Sequence, residues 1–133
     1  MHRMFNPATG EHFYTASDAE RDDLRGKDWS YEGIAFYVPK RSNTPVWRLF
    51  NPKTGEHLYT TDAAERQSLL AAGWNDEGTA WYADDAQGKA MYRLFDPKAN
   101  PVASHHFTSS EAERQELVAA GWTDQGVGFY ALG

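Results

Sequence analysis

Arg48-Leu49-Phe50-Asn51-Pro52 is a stretch that this chain contains three times with small changes. The first copy is Arg3-Met4-Phe5-Asn6-Pro7 and the third is Arg93-Leu94-Phe95-Asp96-Pro97, so the copies lie 45 residues apart. A period of this length is typical of repeat architectures, in which one unit cannot bury its apolar face alone. We therefore predict a single domain, residues 1–133, made of three repeats over 1–45, 46–90 and 91–133.

The agreement between the copies extends on both sides of this stretch. In the numbering of the first copy, the same residue occurs in all three at Arg3, Phe5, Pro7, His12, Thr15, Ala19, Glu20, Arg21, Leu24, Trp29, Gly33 and Tyr37. A site formed by one copy should therefore occur up to three times. This favours multivalent binding over a single asymmetric catalytic centre.

The middle copy predicts the elements of one repeat. Residues 46–50 alternate and are rich in strand formers, with Trp47 and Leu49 expected on one face. A Pro-Gly turn and a return strand over 56–60 complete a hairpin. Asp62 followed by Glu65 has the capping-box pattern of a helix start, and Gly73 suits a helix end. A short strand over 79–82 follows, so the unit is strand–strand–helix–strand.

The fold class that these units predict is α+β and strand-rich. We expect three strand–strand–helix–strand repeats closed into one pseudo-threefold domain, trefoil- or propeller-like, because neither terminal copy looks like a polar cap. The third copy carries three extra residues within Ala99–Ser104 and should deviate there. Asp28 stands where the other copies have a glycine, which predicts a less regular end for the first helix.

Composition excludes several functions. The net charge is −6 with no basic cluster, which argues against nucleic acid and anionic membrane surfaces as partners. No apolar run approaches the roughly 18 residues of a membrane span. The chain has no cysteine, no phosphate-cradling glycine loop and no nucleophile–base set, so we predict a non-enzyme without cofactors. No signal peptide is present, and the chain resembles a trimmed domain of unknown oligomeric state.

Repeated charged residues invite a catalytic interpretation, but a structural one is simpler. Glu20, Glu65 and Glu113 lie three residues after helix caps and are expected at the third helical position. Arg3, Arg48 and Arg93 share a strand face with phenylalanines and are expected to pair or to bind open backbone carbonyls. His12, His57 and His105 could meet on a threefold axis and hold zinc, or satisfy local backbone groups, or bind a ligand. No repeated carboxylate accompanies them at ligand-like spacing, so we predict no metal site.

The candidate binding residues combine the strand histidine with the segment around the tryptophan. An aromatic ring beside planar hydrogen-bonding groups on a tight turn is the combination that sugar hydroxyls require. The third site should be the weakest, because it lacks both the tyrosine and the carboxylate. The candidate ligand-binding residues are His12, Tyr14, Trp29, Glu32, His57, Tyr59, Trp74, Glu77, His105, Trp122 and Gln125.

The combined pattern Arg-Leu-Phe-Asn-Pro, Gly-Glu-His-Leu-Tyr-Thr, Gly-Trp and Glu-Gly resembles a family of tandem repeats of unknown function in secreted bacterial and fungal proteins. The resemblance covers residues 1–133 and implies an extracellular or cell-surface accessory module, which accompanies hydrolases in some members. It implies binding of polysaccharide or cell-wall glycan and brings no catalytic residues. The alternative from the residues alone is a protein-interaction or adhesion scaffold whose aromatics all belong to the core.

Overall fold

The computed structural model describes residues 1–96 and 104–133, and it contains three units with the predicted order of elements. Unit 1 consists of β1 (His2–Asn6), β2 (Glu11–Thr15), α1 (Asp18–Arg25) and β3 (Ser30–Ile34). Unit 2 consists of β4 (Pro45–Phe50), β5 (His57–Thr60), α2 (Ala63–Ala71) and β6 (Asn75–Tyr82). Unit 3 consists of β7 (Lys89–Asp96), β8 (Ser104–Thr108), α3 (Glu111–Ala119) and β9 (Thr123–Ala131).

Each unit forms its own three-stranded antiparallel sheet, with the first strand of the unit in the middle. The strand orders are β2-β1-β3, β5-β4-β6 and β8-β7-β9. The registers correspond, since the repeated phenylalanine of each central strand lies opposite the repeated histidine. The prediction of a strand-rich α+β arrangement of three similar units is therefore confirmed.

The faces of the central strands differ from simple alternation. We expected Trp47 and Leu49 on one face, but the buried residues of β4 are Val46 and Leu49, which are 1% and 0% exposed. The pairing of β4 with β6 shifts between Val46 and Trp47 and again between Trp47 and Leu49. Such irregularities turn a strand and re-aim its side chains. Trp47 is only half-buried and lies under the Arg66 guanidinium, 4.6 Å from ring centroid to Cζ.

The three helices begin at the predicted caps. Ser17 and Ser110 accept a hydrogen bond from the amide of the glutamate three residues on, and Asp62 accepts from Ala64 and Glu65. The third-position assignment of the glutamates is confirmed, but their predicted capping role is wrong. The amide of each cap residue instead donates to the hydroxyl of a threonine two residues earlier, at 3.0 Å in all three units. The glutamate carboxylates are therefore available for other partners.

The turn after the helix is alike in all three units, although α1 ends one residue earlier than α2 and α3, in line with the less regular end expected for the first helix. Gly73 and Gly121 have φ values of 99° and 103°, and Asp28 adopts φ 70° at the corresponding position. Aspartate is one of the few residues that tolerates this left-handed region. The next residue is always the repeated tryptophan, whose amide donates to a leucine carbonyl five residues back at 2.9–3.1 Å.

The core is a cluster of aromatic rings to which every unit contributes two. Tyr14, Tyr59 and Phe107 come from the second strands, and Phe36, Trp81 and Phe129 come from the ends of the units. Rings from different units meet at centroid distances of 5.0–6.4 Å, in tilted or edge-to-face arrangements. Aromatic rings prefer these arrangements. The units are thus held together by one shared core.

Two further observations concern the limits of the units. The expected deviation of the third unit at 99–104 lies outside the described residues, apart from Ser104, whose backbone belongs to β8. Within 1–96 and 104–133, no helix has the length and apolar character that a membrane crossing requires.

Candidate functional site

Tyr14 and Tyr59 belong to the core and not to an open binding face. They are 0% and 2% exposed, and their hydroxyls bond backbone groups of neighbouring units. The Tyr59 hydroxyl lies 3.0 Å from the amide and 3.3 Å from the carbonyl of Tyr14. The Tyr14 hydroxyl accepts from the amide of Phe107 at 3.0 Å. Burial raises the pKa of Tyr14 to about 12 and that of Tyr59 further. The expectation that these rings stack on a ligand is corrected by this burial.

The strand histidines tie adjacent units together. Oε2 of the buried Glu11 in unit 1 accepts hydrogen bonds from the His57 amide and from its Nδ1, at 2.7 and 2.8 Å. Glu56 of unit 2 lies in the same way beside His105 of unit 3, with 3.2 Å between Oε2 and Nδ1. His57 and His105 are 16% and 5% exposed at the side chain. Both histidines therefore serve chiefly to connect neighbouring units. Their contacts with Glu11 and Glu56 are called carboxylate ties below.

The glutamate that precedes the repeated histidine in units 1 and 2 is a partner that the sequence reasoning missed. It stands at position 11 in unit 1 and at 56 in unit 2, and a serine occupies position 104 in unit 3. A carboxylate immediately before a buried-strand histidine was the available signal. The pairs form between copies, so the spacing of residues within one copy does not reveal them.

The strand arginines connect the turn residues of their own unit with the helix start of the preceding unit. Arg48 Nε donates to Glu77 at 2.8 Å, and its two terminal nitrogens donate to Glu20 of unit 1 at 3.2 and 3.4 Å. Arg93 repeats this arrangement with Gln125 at 2.8 Å and with Glu65 at 2.9–3.0 Å. Bidentate arginine–carboxylate pairs of this kind fix geometry as well as charge.

Arg93 also donates to the carbonyl of Tyr59 at 3.0 Å, so one strand arginine binds an open backbone carbonyl as predicted. In unit 1, Arg3 Nε lies 2.9 Å from Glu32 Oε1. The structure thus brings the strand histidine and the turn carboxylate near one another, with 3.7 Å between His12 Nε2 and Glu32 and the same between His57 Nε2 and Glu77. The arginine between them was not among the predicted site residues.

Units 3 and 1 meet through two histidines. The rings of His12 and His106 lie edge to face at a centroid distance of 5.0 Å, and His106 Nε2 contacts Glu113 at 2.9 Å. His106, which follows the repeated histidine of unit 3, is buried, at 7% exposed. Burial is the main cause that lowers the pKa of His12 to about 3, and the nearby His106 and Arg3 add to it.

No shared metal site unites the three strand histidines. His57 and His105 each lie beside a different glutamate, and His12 lies against His106. Within the part of the chain that the structure describes, no group of three or more histidine, aspartate or glutamate side chains is placed to hold a metal ion.

The tryptophans of the predicted sites are half-buried against their own sheets or a neighbouring side chain. Trp29 packs edge-on against Phe13, and Trp122 packs edge-on against His106, with centroid distances of 5.9 and 6.2 Å. Trp74 is half-buried at the equivalent place behind α2. None of the three tryptophans lines the two grooves described next, so these grooves do not include the tryptophans of the predicted sites.

Units 1 and 2 are separated by a groove with two contrasting ends. Its wider part, about 450 Å³, is lined by Tyr37, Val38 and Pro39 from unit 1 and by Trp81 and Tyr82 from unit 2. A narrower part of about 230 Å³ is lined by polar groups that include Ser17, Glu20, Arg48 and Glu77. Both parts share the lining residues Ala16, Thr79 and Ala80, so they form one groove, here called groove 1–2.

Units 2 and 3 are separated by the equivalent groove 2–3. Its wider part, about 290 Å³, is lined by residues that include Ala83, Asp84, Phe129 and Tyr130. Its polar part, about 180 Å³, is lined by residues that include Asp62, Glu65, Arg93 and Gln125. Thr61, Val127 and Gly128 line both parts, in the positions of Ala16, Thr79 and Ala80. Of the predicted ligand residues, Glu77 and Gln125 lie in the grooves on the polar side, where Tyr14 also contributes to the wall.

One backbone contact distinguishes the two grooves. In groove 2–3, the amide of Asp84 donates to the carbonyl of Tyr130 at 2.8 Å. At the corresponding place between units 3 and 1, the amide of Leu132 donates to the carbonyl of Tyr37 at 2.9 Å. Between units 1 and 2 the corresponding pair is Pro39 and Tyr82, and proline has no amide hydrogen to donate. The groove without this bond is the wider one.

The comparison with known families places the chain. It belongs to the family of the domain of unknown function DUF5648, whose model matches residues 1–132. No curated protein and no solved structure matches the chain.

Proposed function

We propose that this chain is a non-catalytic, multivalent module that binds an extended carbohydrate such as a polysaccharide or a cell-wall glycan, and that it acts outside the cell or at its surface. The observation that carries the proposal is the pair of equivalent grooves, each with an aromatic end and a polar end. The grooves replace the predicted sites around the strand histidines, whose partners are intramolecular. Glu77 and Gln125 remain candidate ligand residues.

The chemistry of groove 1–2 suits a chain of sugar rings. Tyr37 is 64% exposed at the aromatic end and offers a ring face on which a sugar can stack. At the polar end, Glu77 and the Arg48 guanidinium present planar acceptors and donors. A site with an apolar floor and a few fixed polar groups orients a small ligand. The combined volume of the two parts, about 450 and 230 Å³, favours an oligomer over a single ring.

Repetition supports the multivalent part of the proposal. Individual sugar sites are weak, because exchanged hydrogen bonds leave little net free energy. Two grooves on one rigid body raise the avidity for a polymer that reaches both. Groove 2–3 is narrower and has Gln125 in place of the carboxylate, so we expect it to bind more weakly than groove 1–2.

We further propose that the three units close into a pseudo-threefold ring. All three pairs of units are in contact. The hydroxyls of Tyr59 and Tyr14 bond the backbone of Tyr14 and of Phe107, and Arg93 donates to the carbonyl of Tyr59. The carboxylate–histidine ties run from unit 1 to unit 2 and from unit 2 to unit 3. A ring would hold the grooves at fixed spacing, which is the condition for avidity.

Binding to soluble oligosaccharides and to insoluble polysaccharides tests the function. We expect millimolar single-site affinities and much tighter retention on insoluble polymer, with Tyr37→Ala lowering both. Val118→Ala is the matched control, because Val118 is also an exposed apolar residue, at 46%, but lies on α3 outside the grooves. Equal loss in both variants, or no binding to any glycan by the parent protein, would favour the protein-interaction scaffold.

A further inference from the structure

We propose that Lys40-Arg41, in the segment that joins units 1 and 2, is a cleavage site for endoproteases that recognise paired basic residues. This inference goes beyond glycan binding and does not depend on it. Among the 13 lysines and arginines of the chain, Lys40 and Arg41 are the only two that are adjacent in sequence. Both residues are exposed, and within the described part of the chain neither forms an ion pair.

The backbone of this segment has hydrogen bonds at its two ends. On one side the carbonyl of Tyr37 accepts from the amide of Leu132 at 2.9 Å, and on the other the amide of Asn43 donates to the exposed Asp85 at 2.7 Å. Residues 38–42 between them belong to no helix or strand, and their amide and carbonyl groups make no hydrogen bond with any described residue. Exposed segments whose backbone is not hydrogen-bonded are preferred sites of proteolytic cleavage.

Two comparable segments of the chain differ from this one at the backbone. Arg25 and Lys27 are also exposed and are separated by one residue, but the amide of Lys27 donates to a carbonyl three residues back at 2.9 Å, at the end of α1. The segment between units 2 and 3 folds around Asp84, which accepts hydrogen bonds from the amides of residues 86–88 at 3.0–3.1 Å. The segment between units 1 and 2 has Pro39 at that position and therefore lacks the carboxylate that would order it.

The chemistry of the segment suits a serine endoprotease with acidic specificity pockets. Such an enzyme binds its substrate as an extended strand and places basic side chains in pockets that carry carboxylates. Pro39 restricts the residue before it to extended backbone, and Lys40 and Arg41 can enter the pockets without breaking an ion pair. Hydrolysis breaks the bond between the carbonyl carbon of Arg41 and the nitrogen of Ser42. The oxygen of one water goes to the new carboxylate of Arg41, and its two protons go to the amine of Ser42.

Cleavage should not release unit 1 from the rest of the protein. Fragment 1–41 keeps two rings in the shared core, those of Tyr14 and Phe36, and keeps its carboxylate tie to unit 2. The product is therefore a two-chain form that noncovalent contacts hold together. Because Pro39 and Lys40 line groove 1–2, a cut beside them detaches one wall of this groove from unit 2.

Incubation of the folded protein with a subtilisin-like endoprotease specific for paired basic residues tests this inference. We expect a single cut that gives fragments 1–41 and 42–133 by mass spectrometry, and these should elute together in size exclusion and separate in denaturant. Arg41→Gln should slow the cut at least about a hundredfold, because it leaves the acidic pocket of the protease without its partner. Lys89→Gln is the matched control, since it removes an exposed lysine at the start of β7 and should leave the rate unchanged.

Gln67→Arg provides a control for the role of the backbone. It creates a second pair of basic residues with Arg66 inside α2, where the backbone is hydrogen-bonded as a helix, and position 67 is exposed. This pair should stay uncut while the bond after Arg41 is cleaved as in the parent protein. An intact bond after Arg41, or a cut within α2 at a comparable rate, would overturn the inference. Release of fragment 1–41 under native conditions would overturn the two-chain form.

Discussion

The contacts of unit 2 with unit 1 and with unit 3 are built from the same parts but differ in strength. In both, a strand arginine bridges the turn and a helix-start glutamate, and a glutamate meets the strand histidine. Glu11 reaches two donors of His57 at 2.7 and 2.8 Å, whereas the ion pair of Glu56 and His105 is longer, at 3.2 Å, and lacks hydrogen-bond geometry.

For backbone hydrogen bonds, the contact of units 2 and 3 is the stronger of the two. The contact of units 2 and 3 has the Asp84–Tyr130 hydrogen bond, and the contact of units 1 and 2 has Pro39 in its place. The stronger carboxylate tie therefore lies where the backbone bond is missing. Among the described contacts between units, the one between units 1 and 2 thus differs from the other two because Pro39 has no amide hydrogen.

Removal of the glutamates that contact the strand histidines should give the largest difference in stability between the two contacts of unit 2. Glu11→Ala leaves two donors of His57 without an acceptor, so we expect a loss of about 3 kcal/mol in the free energy of unfolding, on the scale of a disrupted buried pair. Glu56→Ala should cost less, about 1 kcal/mol, because its contact lacks hydrogen-bond geometry. Urea denaturation of both variants measures the difference. Equal losses would contradict the assignment of Glu11 as the stronger tie.

Acid should act on the contact between units 3 and 1. The pKa of His12 is lowered from 6.5 to about 3 by burial, so protonation favours the unfolded chain. The stability that follows from the neutral histidine is present above pH 6.5 and is lost as the pH falls toward 3. At about pH 5 we expect a loss of about 2 kcal/mol relative to neutral pH.

Urea denaturation as a function of pH measures this loss. The charged and titratable groups near His12 also influence its pKa. They are His106, Arg3, Glu113 and Glu32, of which Glu113 raises the pKa. His12→Gln removes the titration and serves as the control, with a flatter dependence between pH 6.5 and 5. A dependence as steep as that of the parent protein would assign the effect to another group.

In the core, units 1 and 2 have a tyrosine hydroxyl at a position where unit 3 has Phe107, and single variants can test what this hydroxyl contributes. Tyr14→Phe leaves the buried amide of Phe107 without its acceptor and should cost about 1–2 kcal/mol. Phe107→Tyr adds the hydroxyl that the third unit lacks and places it toward the amide of Tyr59, with an expected gain of about 1 kcal/mol. Thermal unfolding of the two single variants measures both effects. A loss in Phe107→Tyr would show that this side of the core has no room for the hydroxyl.

The helix-start glutamates should give the smallest effects. Glu20→Ala and Glu65→Ala each remove a half-exposed partner of a strand arginine, so we expect losses of about 0.5–1 kcal/mol that diminish in high salt. The loss should be similar in the two variants, since the two arginine bridges are alike. Urea titrations at low and high ionic strength measure it. An effect independent of salt would point back to helix capping.

Most of the fold could be predicted from patterns of residues that are close together in sequence. The period of 45 residues, the strand alternation, and the cap and glycine signals were sufficient to predict three hairpin–helix–strand units, because these features depend on neighbours in sequence. The positions of Glu20, Glu65 and Glu113 followed for the same reason. The partners of Glu20 and Glu65 did not, because each is a strand arginine 28 residues away in sequence that belongs to the next unit.

The sequence by itself determined the repeats, their elements and the chemistry available on each strand. Only the tertiary structure decided which side of each residue meets a neighbouring unit. Tyr14 and Tyr59 lie in the core, and the strand histidines lie at contacts between units. The open surface lies in the grooves, one of which is beside Tyr37 and Pro39. The physical reason is that a repeat buries its apolar face against other copies. The fate of every strand residue therefore depends on packing between units, which spacing within one copy does not encode.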